Sequence, residues 1–141
     1  MKRVVIESPY KGAVSVNEIY AELCMRDCLV NHNESPYASH LLYTRSFVLD
    51  DLVPEQRKLG IEAGFYWREV AEQTNFYVDL GITDGMNLAI DDCNEKGKNY
   101  TIRSLPDDLW KSFTHVCIAK GYGCPERVLL GGDSLECPEK E

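Results

Sequence analysis

Apolar and polar positions alternate along the chain in a way that predicts strands and helices in turn. Short apolar or β-branched runs predict strands at residues 3–7, 37–43, 75–80 and 100–105. Apolar residues at helical spacing predict helices from Asn17 (an expected N-cap) to about 31–33, and at 54–73, 83–95 and 106–119. This order is typical of a parallel sheet with crossover helices. We therefore expect an α/β fold, a small Rossmann-like three-layer sandwich with a parallel sheet of four or five strands, plus a C-terminal helix and an acidic tail.

Length and charge restrict the function classes. The 141 residues are enough for one domain, which we place at residues 1–120, followed by a Gly/Pro-rich acidic extension at 121–141. The net charge of −8 disfavours nucleic-acid binding. No apolar run reaches the ~18–20 residues of a membrane span, so no membrane partner is expected. The charged start of the chain does not resemble a signal peptide, and the expected location is cytoplasmic.

The six cysteines do not predict a metal site. No Cys-x-x-Cys pair occurs and the three histidines are not at ligand spacing, so we expect neither a metal nor a cofactor. Free and mostly buried thiols are the expectation for a reduced compartment, with Cys124 and Cys137 as the more exposed pair.

Ligands of open parallel sheets bind beyond the C-terminal ends of the strands, which nominates the loops at 7–16, 40–53, 79–86 and 103–106. The first loop precedes a helix N-terminus, where backbone N–H groups can bind an anion, but it lacks the dinucleotide and P-loop signatures. In the third loop Asp79 is followed by Gly81 and Gly85, which permit close approach of a ligand. An ordinary turn and helix cap would explain the same residues.

Four segments carry a resemblance to known families. They are Ile6-Glu7-Ser8-Pro9-Tyr10, Ala38-Ser39-His40-Leu41-Leu42-Tyr43, Leu59-Gly60-Ile61-Glu62-Ala63-Gly64 and Asp79-Leu80-Gly81-Ile82-Thr83-x-Gly85-Met86. Together they resemble an uncharacterised phage-associated domain, within the SLOG and nucleoside 2-deoxyribosyltransferase-like nucleotide-binding superfamily. The resemblance covers residues 3–105. It implies a nucleotide-type ligand and, for a phage-encoded chain, the cytoplasm of the bacterial host.

The chain departs from the transferase pattern at the catalytic position. The family's catalytic Glu falls on Gly85 and its Thr on Ile82. Because such enzymes attack the anomeric carbon with a carboxylate, this departure favours a protein that is not an enzyme. If the chain is an enzyme, a different carboxylate must act, and the candidates are Glu7, Glu62 and Asp79, with Asp84 as a further possibility.

The ligand pocket expected from the loops and the resemblance combines small, aromatic and basic residues. Arg45 is the preferred phosphate partner because a guanidinium binds phosphate bidentately, although it could equally be a solvated loop arginine. His40 could bind a base or phosphate or be a satisfied core histidine, and the rings of Tyr10 and Tyr43 could stack on a base or ribose. The full candidate set is Ser8, Pro9, Tyr10, Asn17, His40, Tyr43, Arg45, Asp79, Gly81, Thr83, Gly85 and Met86.

Three functions remain open. The leading hypothesis is a protein that binds a nucleotide-type ligand without catalysis, for instance a phage sponge that sequesters a host cyclic ADP-ribose-like signal. The alternatives are an N-ribosyl hydrolase or deoxyribosyltransferase, and a non-enzymatic interaction protein. Phe65, Tyr66 and Trp67 point in successive directions around the helix at 54–73, so one core cannot cover all three, and a homo-oligomer is expected.

Overall fold

Four strands form one all-parallel sheet. In the computed structural model, which describes residues 1–129 and 134–135, they are β1 (Lys2–Glu7), β2 (Glu34–Tyr37), β3 (Gln73–Tyr77) and β4 (Tyr100–Arg103). Their order in the sheet is β2-β1-β3-β4, with Val5 opposite Tyr37 on β2 and Ile6 opposite Asn75 on β3. β2 therefore lies on one side of β1, and β3 and β4 lie on the other side. The topological switch point is between β1 and β3.

Five helices connect and cover the strands. They are α1 (Val14–Asn31), α2 (Ser39–Leu42), α3 (Pro54–Val70), α4 (Asp84–Lys96) and α5 (Asp107–Ala119). Proline in the first turn begins α3. The Thr83 hydroxyl accepts a hydrogen bond from the Met86 N–H and caps α4, which ends at Gly97 in the left-handed conformation.

The two faces of the sheet carry cores of different size. On the side of α1 and α5, Ile6, Tyr20, Tyr77 and Phe113 belong to a large, fully buried cluster. On the side of α3 and α4, a smaller cluster is built around Phe76. Helix, sheet and helix form three layers, which confirms the predicted α/β fold with a four-stranded parallel sheet.

Two local predictions are wrong. The apolar run at 37–43 is not a strand: β2 ends at Tyr37 and the run forms the short helix α2. The residues of the run that pack on the large core are Ala38 and Leu41, which are three positions apart, as on one side of a helix, and Leu42 is half-exposed. Asn17 is not an N-cap either; it lies buried inside α1, which begins three residues earlier at Val14.

The residues after α5 return to the sheet. β5 (Arg127–Val128) pairs antiparallel with β6 (Ser134–Leu135), and the Arg127 side chain is buried. Part of the expected extension at 121–141 therefore packs on the domain. Cys24, Cys28, Cys93 and Cys117 are free and buried as expected, whereas Cys124 is disulfide-bonded and Cys137 lies outside the described residues. No helix in the described part of the chain is long and apolar enough to cross a bilayer.

Candidate functional site

The loop after β1 forms one wall of a cleft at the C-terminal edge of the sheet. Ser8 and Pro9 are buried in it and Tyr10 is partly exposed. The Asn17 amide donates to the backbone carbonyl of Tyr10 at 2.9 Å and to that of Lys11 at 3.4 Å. Asn17 thus holds the loop from inside α1, which is a positioning role rather than the expected contact with a ligand.

His40 on α2 contacts two residues of this loop. Its Nε2 lies 2.8 Å from the Ser8 hydroxyl, and the Tyr10 ring meets the imidazole edge-on at 6.2 Å between centroids. Burial lowers the pKa of His40 to about 4, so the imidazole is neutral at physiological pH. A neutral imidazole offers a ligand one donor or acceptor and no charge.

Gly64 on α3 allows α2 to pack closely against it, and Gly60 leaves room for the loop that follows α2. A Cβ added at Gly64 would lie 2.9 Å from the Ser39 hydroxyl, closer than real Cβ contacts, and one added at Gly60 would lie 3.3 Å from Leu49 Cδ1. The close packing brings α2, and with it His40, to the edge of the sheet.

The cleft itself lies between the β1 loop, α2 and the first half of α3. Its volume is about 110 Å³. Because α3 runs back across the sheet, antiparallel to the strands, its first turns lie at the C-terminal edge, where Arg57 faces the cleft. The polar and aromatic side chains of the lining are Tyr10, Ser39, His40, Tyr43, Thr44, Asp51, Gln56 and Arg57.

Arg57 is the cation of this cleft. It is partly buried, and within the described residues no hydrogen bond or ion pair engages its guanidinium. Its five N–H donors are therefore available to an anion. The sequence-based prediction missed Arg57; the signal was a basic residue three positions after Pro54, in the turn of α3 that lies nearest the sheet edge.

Tyr43, directly after α2, also lines the cleft and is held by two hydrogen bonds. Its hydroxyl accepts hydrogen bonds from the Tyr37 hydroxyl at 2.6 Å and from Trp67 Nε1 at 2.9 Å. Tyr37 also packs against the Trp67 ring, 5.1 Å between centroids. An aromatic side chain fixed in this way presents apolar surface to a ligand at little cost in conformational entropy.

The structure does not bring Arg45 into the cleft. Its guanidinium pairs with Glu18 on α1 at 3.1 Å and is half-exposed. The arginine that lines the cleft is therefore Arg57 and not Arg45, which the sequence favoured.

Asp79 is buried and has its hydrogen-bonding capacity satisfied by the protein. One carboxylate oxygen accepts from the Tyr20 hydroxyl at 2.6 Å and from the Leu105 N–H at 2.9 Å, and the other accepts from Arg127 Nε at 2.8 Å. Asp79 is 0% exposed. The Asp79 carboxylate therefore links β3 to α1 and to the C-terminal segment rather than contacting a ligand.

The rest of the third loop also lies outside the cleft lining. Gly81 adopts a positive φ of 93° in the turn after β3, Thr83 caps α4, and Met86 is buried in the smaller core. Gly85 is exposed in the first turn of α4, with no atom closer than 3.9 Å to an added Cβ.

The candidate catalytic carboxylates do not converge. Glu7 pairs with Arg68 at 3.2 Å on the α3 and α4 side of the sheet. Burial raises its pKa, although Arg68 acts in the opposite direction. Asp79 is engaged on the α1 side, and Glu62 is exposed on α3. No cluster of three or more His, Cys, Asp or Glu side chains among the described residues is arranged to hold a metal.

Comparison with known proteins shows a family but no function. Residues 2–103 match a domain of unknown function, DUF7768. No curated protein and no solved structure matches the chain. The match spans β1 to β4, and with them the whole cleft, and stops before α5 and Arg127. Since it covers well over half of the chain, this protein belongs to the DUF7768 family.

Proposed function

We propose that this chain binds a small nucleotide-type ligand in the cleft around His40 and Arg57 and holds it without turnover. The observation that carries the proposal is the Arg57 guanidinium, which has no ion-pair partner within the described part of the chain and lies in a cleft that also contains Tyr10 and Tyr43. The cleft lies at the edge of the sheet where open α/β folds bind their ligands.

Arg57 supports an anionic group on the ligand. A charge-assisted hydrogen bond from arginine to phosphate is about twice as strong as a neutral one. In a chain with a net charge of −8, an arginine that forms no ion pair within the described residues gives the cleft a local attraction for an anion. The Asp51 carboxylate in the same lining acts against this attraction.

The remaining lining supports a ring next to that group. A cavity of about 150 Å³ in another protein holds one benzene molecule, so the cleft of about 110 Å³ suits one small ring, with the rest of the ligand extending towards solvent. Tyr10 and Tyr43 offer ring surface for stacking, and neutral His40 offers one hydrogen bond to a base or sugar.

The placement of the three carboxylates nominated from the sequence supports binding without turnover. Glu7, Glu62 and Asp79 lie on different sides of the structure, and a glycosyl transfer needs a carboxylate at the anomeric carbon. A protein that binds a nucleotide and leaves it intact acts by sequestering it, which is the role we propose.

One observation favours a second function. Asp51 also lines the cleft, and within the described residues its carboxylate forms no hydrogen bond or ion pair. A free carboxylate next to a bound ribose is the group that an N-ribosyl hydrolase would use as its nucleophile or base. Binding of the same ligand is common to both functions, so product formation distinguishes them.

Isothermal titration calorimetry with adenosine monophosphate, ADP-ribose and adenosine tests the proposal. We expect the two phosphorylated probes to bind more tightly than adenosine. Arg57→Ala should weaken their binding by about 1.5–3 kcal/mol, the value of a charge-assisted hydrogen bond, and leave adenosine almost unchanged. Arg45→Ala is the matched control, because it removes an arginine outside the cleft.

Two results would overturn the proposal. One is equal loss of affinity in the Arg57→Ala and Arg45→Ala proteins. The other is an absence of binding by every probe, combined with native mass spectrometry that finds no retained nucleotide on protein purified from cells.

A further inference from the structure

Helix α3 covers the sheet with a narrow face only. Of its 17 residues, Gly64 and Arg68 alone are buried. A helix that packs on a sheet and otherwise faces solvent carries polar residues over the rest of its surface. On α3 the exposed charged residues Glu55, Lys58, Glu62 and Glu69 form a single ridge, and the rest of the exposed surface is not polar in this way.

Beside that ridge runs an exposed apolar stripe, the α3 seam, formed by Leu59, Ala63, Tyr66 and Val70. Leu59 is 55% exposed, Tyr66 66% and Val70 64%. The successive spacings of four, three and four residues are those of the apolar positions in a coiled coil. Such a stripe fits the surface of a second helix and has no partner among the described residues.

We propose that the α3 seam is the contact of a twofold-symmetric dimer, in which a second copy of this chain packs its own seam antiparallel against it. The proposal is independent of the ligand. A twofold contact uses the same surface on both subunits, so the seam must be complementary to itself.

The order of residues in the seam meets this requirement. Reversing the direction of one copy about the midpoint between Ala63 and Tyr66 places Tyr66 opposite Ala63, and Leu59 opposite Val70. The large side chain then meets the small one twice, once on each side of the axis, as close packing of helices requires. A parallel arrangement would instead put Tyr66 against Tyr66 and leave space at Ala63.

The exposed area is of the size that a dimer core needs. The seam together with Trp67, which is 50% exposed, presents roughly 500 Å² if a large side chain has an area of ~150–250 Å². Patches of ~300–600 Å² are the largest that monomers expose and are often functional. A standard interface buries ~800 Å² per partner, and the ridge side chains next to the seam would supply its polar rim.

The test uses sedimentation velocity on the full chain over about 5–200 µM at physiological salt, where charge repulsion is screened beyond ~8 Å. We expect the mass to rise with concentration towards twice the 16.0 kDa of one chain. Tyr66→Glu should abolish the rise. Leu88→Glu on α4 is the matched control, because Leu88 is 67% exposed, as Tyr66 is, and lies outside the seam.

Disulfide formation tests the antiparallel direction. A mixture of Leu59→Cys and Val70→Cys proteins should form the mixed disulfide under mild oxidation, and Leu59→Cys alone should form none with itself. A wild-type mass that stays at one chain over the whole range overturns the dimer, even if another protein is found on the seam. If wild type, Tyr66→Glu and Leu88→Glu all dimerise, or if Leu88→Glu alone loses the dimer, the contact is not the α3 seam. If Leu59→Cys forms a disulfide with itself, the antiparallel direction is wrong.

Discussion

The Arg127 guanidinium holds the Asp79 carboxylate at the end of β3, with Nε 2.8 Å from Oδ1. Both side chains are almost completely buried. The Arg127 guanidinium also donates to the Leu105 carbonyl and, at 3.0 Å, to Asp107. In addition, the Val128 N–H donates to the Asp79 carbonyl. A residue 24 positions beyond the end of the family match thus completes the polar core of the domain.

Removal of either partner should therefore destabilise the fold. We expect Arg127→Ala to lower the free energy of unfolding by about 3–5 kcal/mol, because the Asp79 carboxylate stays buried without a counterion. Asp79→Ala should cost less, because Arg127 keeps its ion pair with Asp107. Urea unfolding followed by circular dichroism measures the effect. Arg45→Ala breaks the half-exposed pair with Glu18 and should cost at most about 1 kcal/mol. Equal losses in the three proteins would show that the buried pair has no special role.

Gly64 and Gly85 should respond in opposite ways to the same substitution. Both lie in helices, but an alanine Cβ at Gly64 would be 2.9 Å from the Ser39 hydroxyl, whereas at Gly85 the nearest atom is 3.9 Å away. We expect Gly64→Ala to shift α2 and to cost about 1–3 kcal/mol. Gly85→Ala should stabilise by up to about 1 kcal/mol, since alanine favours the helix.

Urea unfolding and adenosine monophosphate titration together test this pair. Because α2 carries His40 and Tyr43, Gly64→Ala should also weaken ligand binding, and Gly85→Ala should leave it unchanged. A stable Gly64→Ala protein with normal affinity would mean that the close packing of α2 on α3 does not position the cleft.

The regular elements could be predicted from the sequence because their signals are local. Pro54 at the start of α3, Thr83 before α4 and Gly97 after it act through the backbone of their own helix. The run at 37–43 misled because seven apolar and polar residues fit a strand or a short helix equally well. The helix packs closely on α3 at Gly64, 25 residues further along the chain than Ser39, and a contact so distant in sequence gives no local signal.

The site was less accessible to prediction, because it depends on which side chains meet in space. The structure brings Ser8, Tyr10, His40 and Tyr43 to one edge of the sheet, as expected for loops at the ends of parallel strands. The distinction between Arg45 and Arg57 depends on how α3 crosses that edge. The role of Asp79 depends on an arginine 48 residues later, and nothing local to Asp79 indicates that its carboxylate is already engaged.

Wild-type protein should release no base from nucleosides or nucleotides. Although Asp51 lines the cleft, a hydrolase needs a second group that protonates the leaving base, and the partly buried Glu7 is paired with Arg68. Incubation with adenosine, adenosine monophosphate and ADP-ribose for several hours, followed by chromatography of free adenine, measures the reaction. Release beyond one equivalent, abolished by Asp51→Asn, would establish the hydrolase function instead.

Stability should fall in acid through His40. Burial lowers the pKa of this group to about 4 in the folded chain, while an unfolded chain has a histidine pKa of about 6.5. Above pH 6.5 the imidazole is neutral in both states. Below it the unfolded chain binds the proton first, so the free energy of unfolding decreases down to pH 4, by up to about 3 kcal/mol in total.

Urea unfolding at pH 7.5 and pH 5.0 isolates this contribution when wild type is compared with His40→Gln. The glutamine keeps a polar partner for Ser8 but does not titrate, so we expect the wild-type free energy of unfolding to fall by about 2 kcal/mol more than that of the variant. His115→Gln, at an exposed site, should fall as wild type does and controls for the loss of a histidine. An equal fall in wild type and His40→Gln would mean that the imidazole takes up its proton inside the folded chain at its ordinary pKa, and the cleft would then offer a ligand a second cation below pH 6.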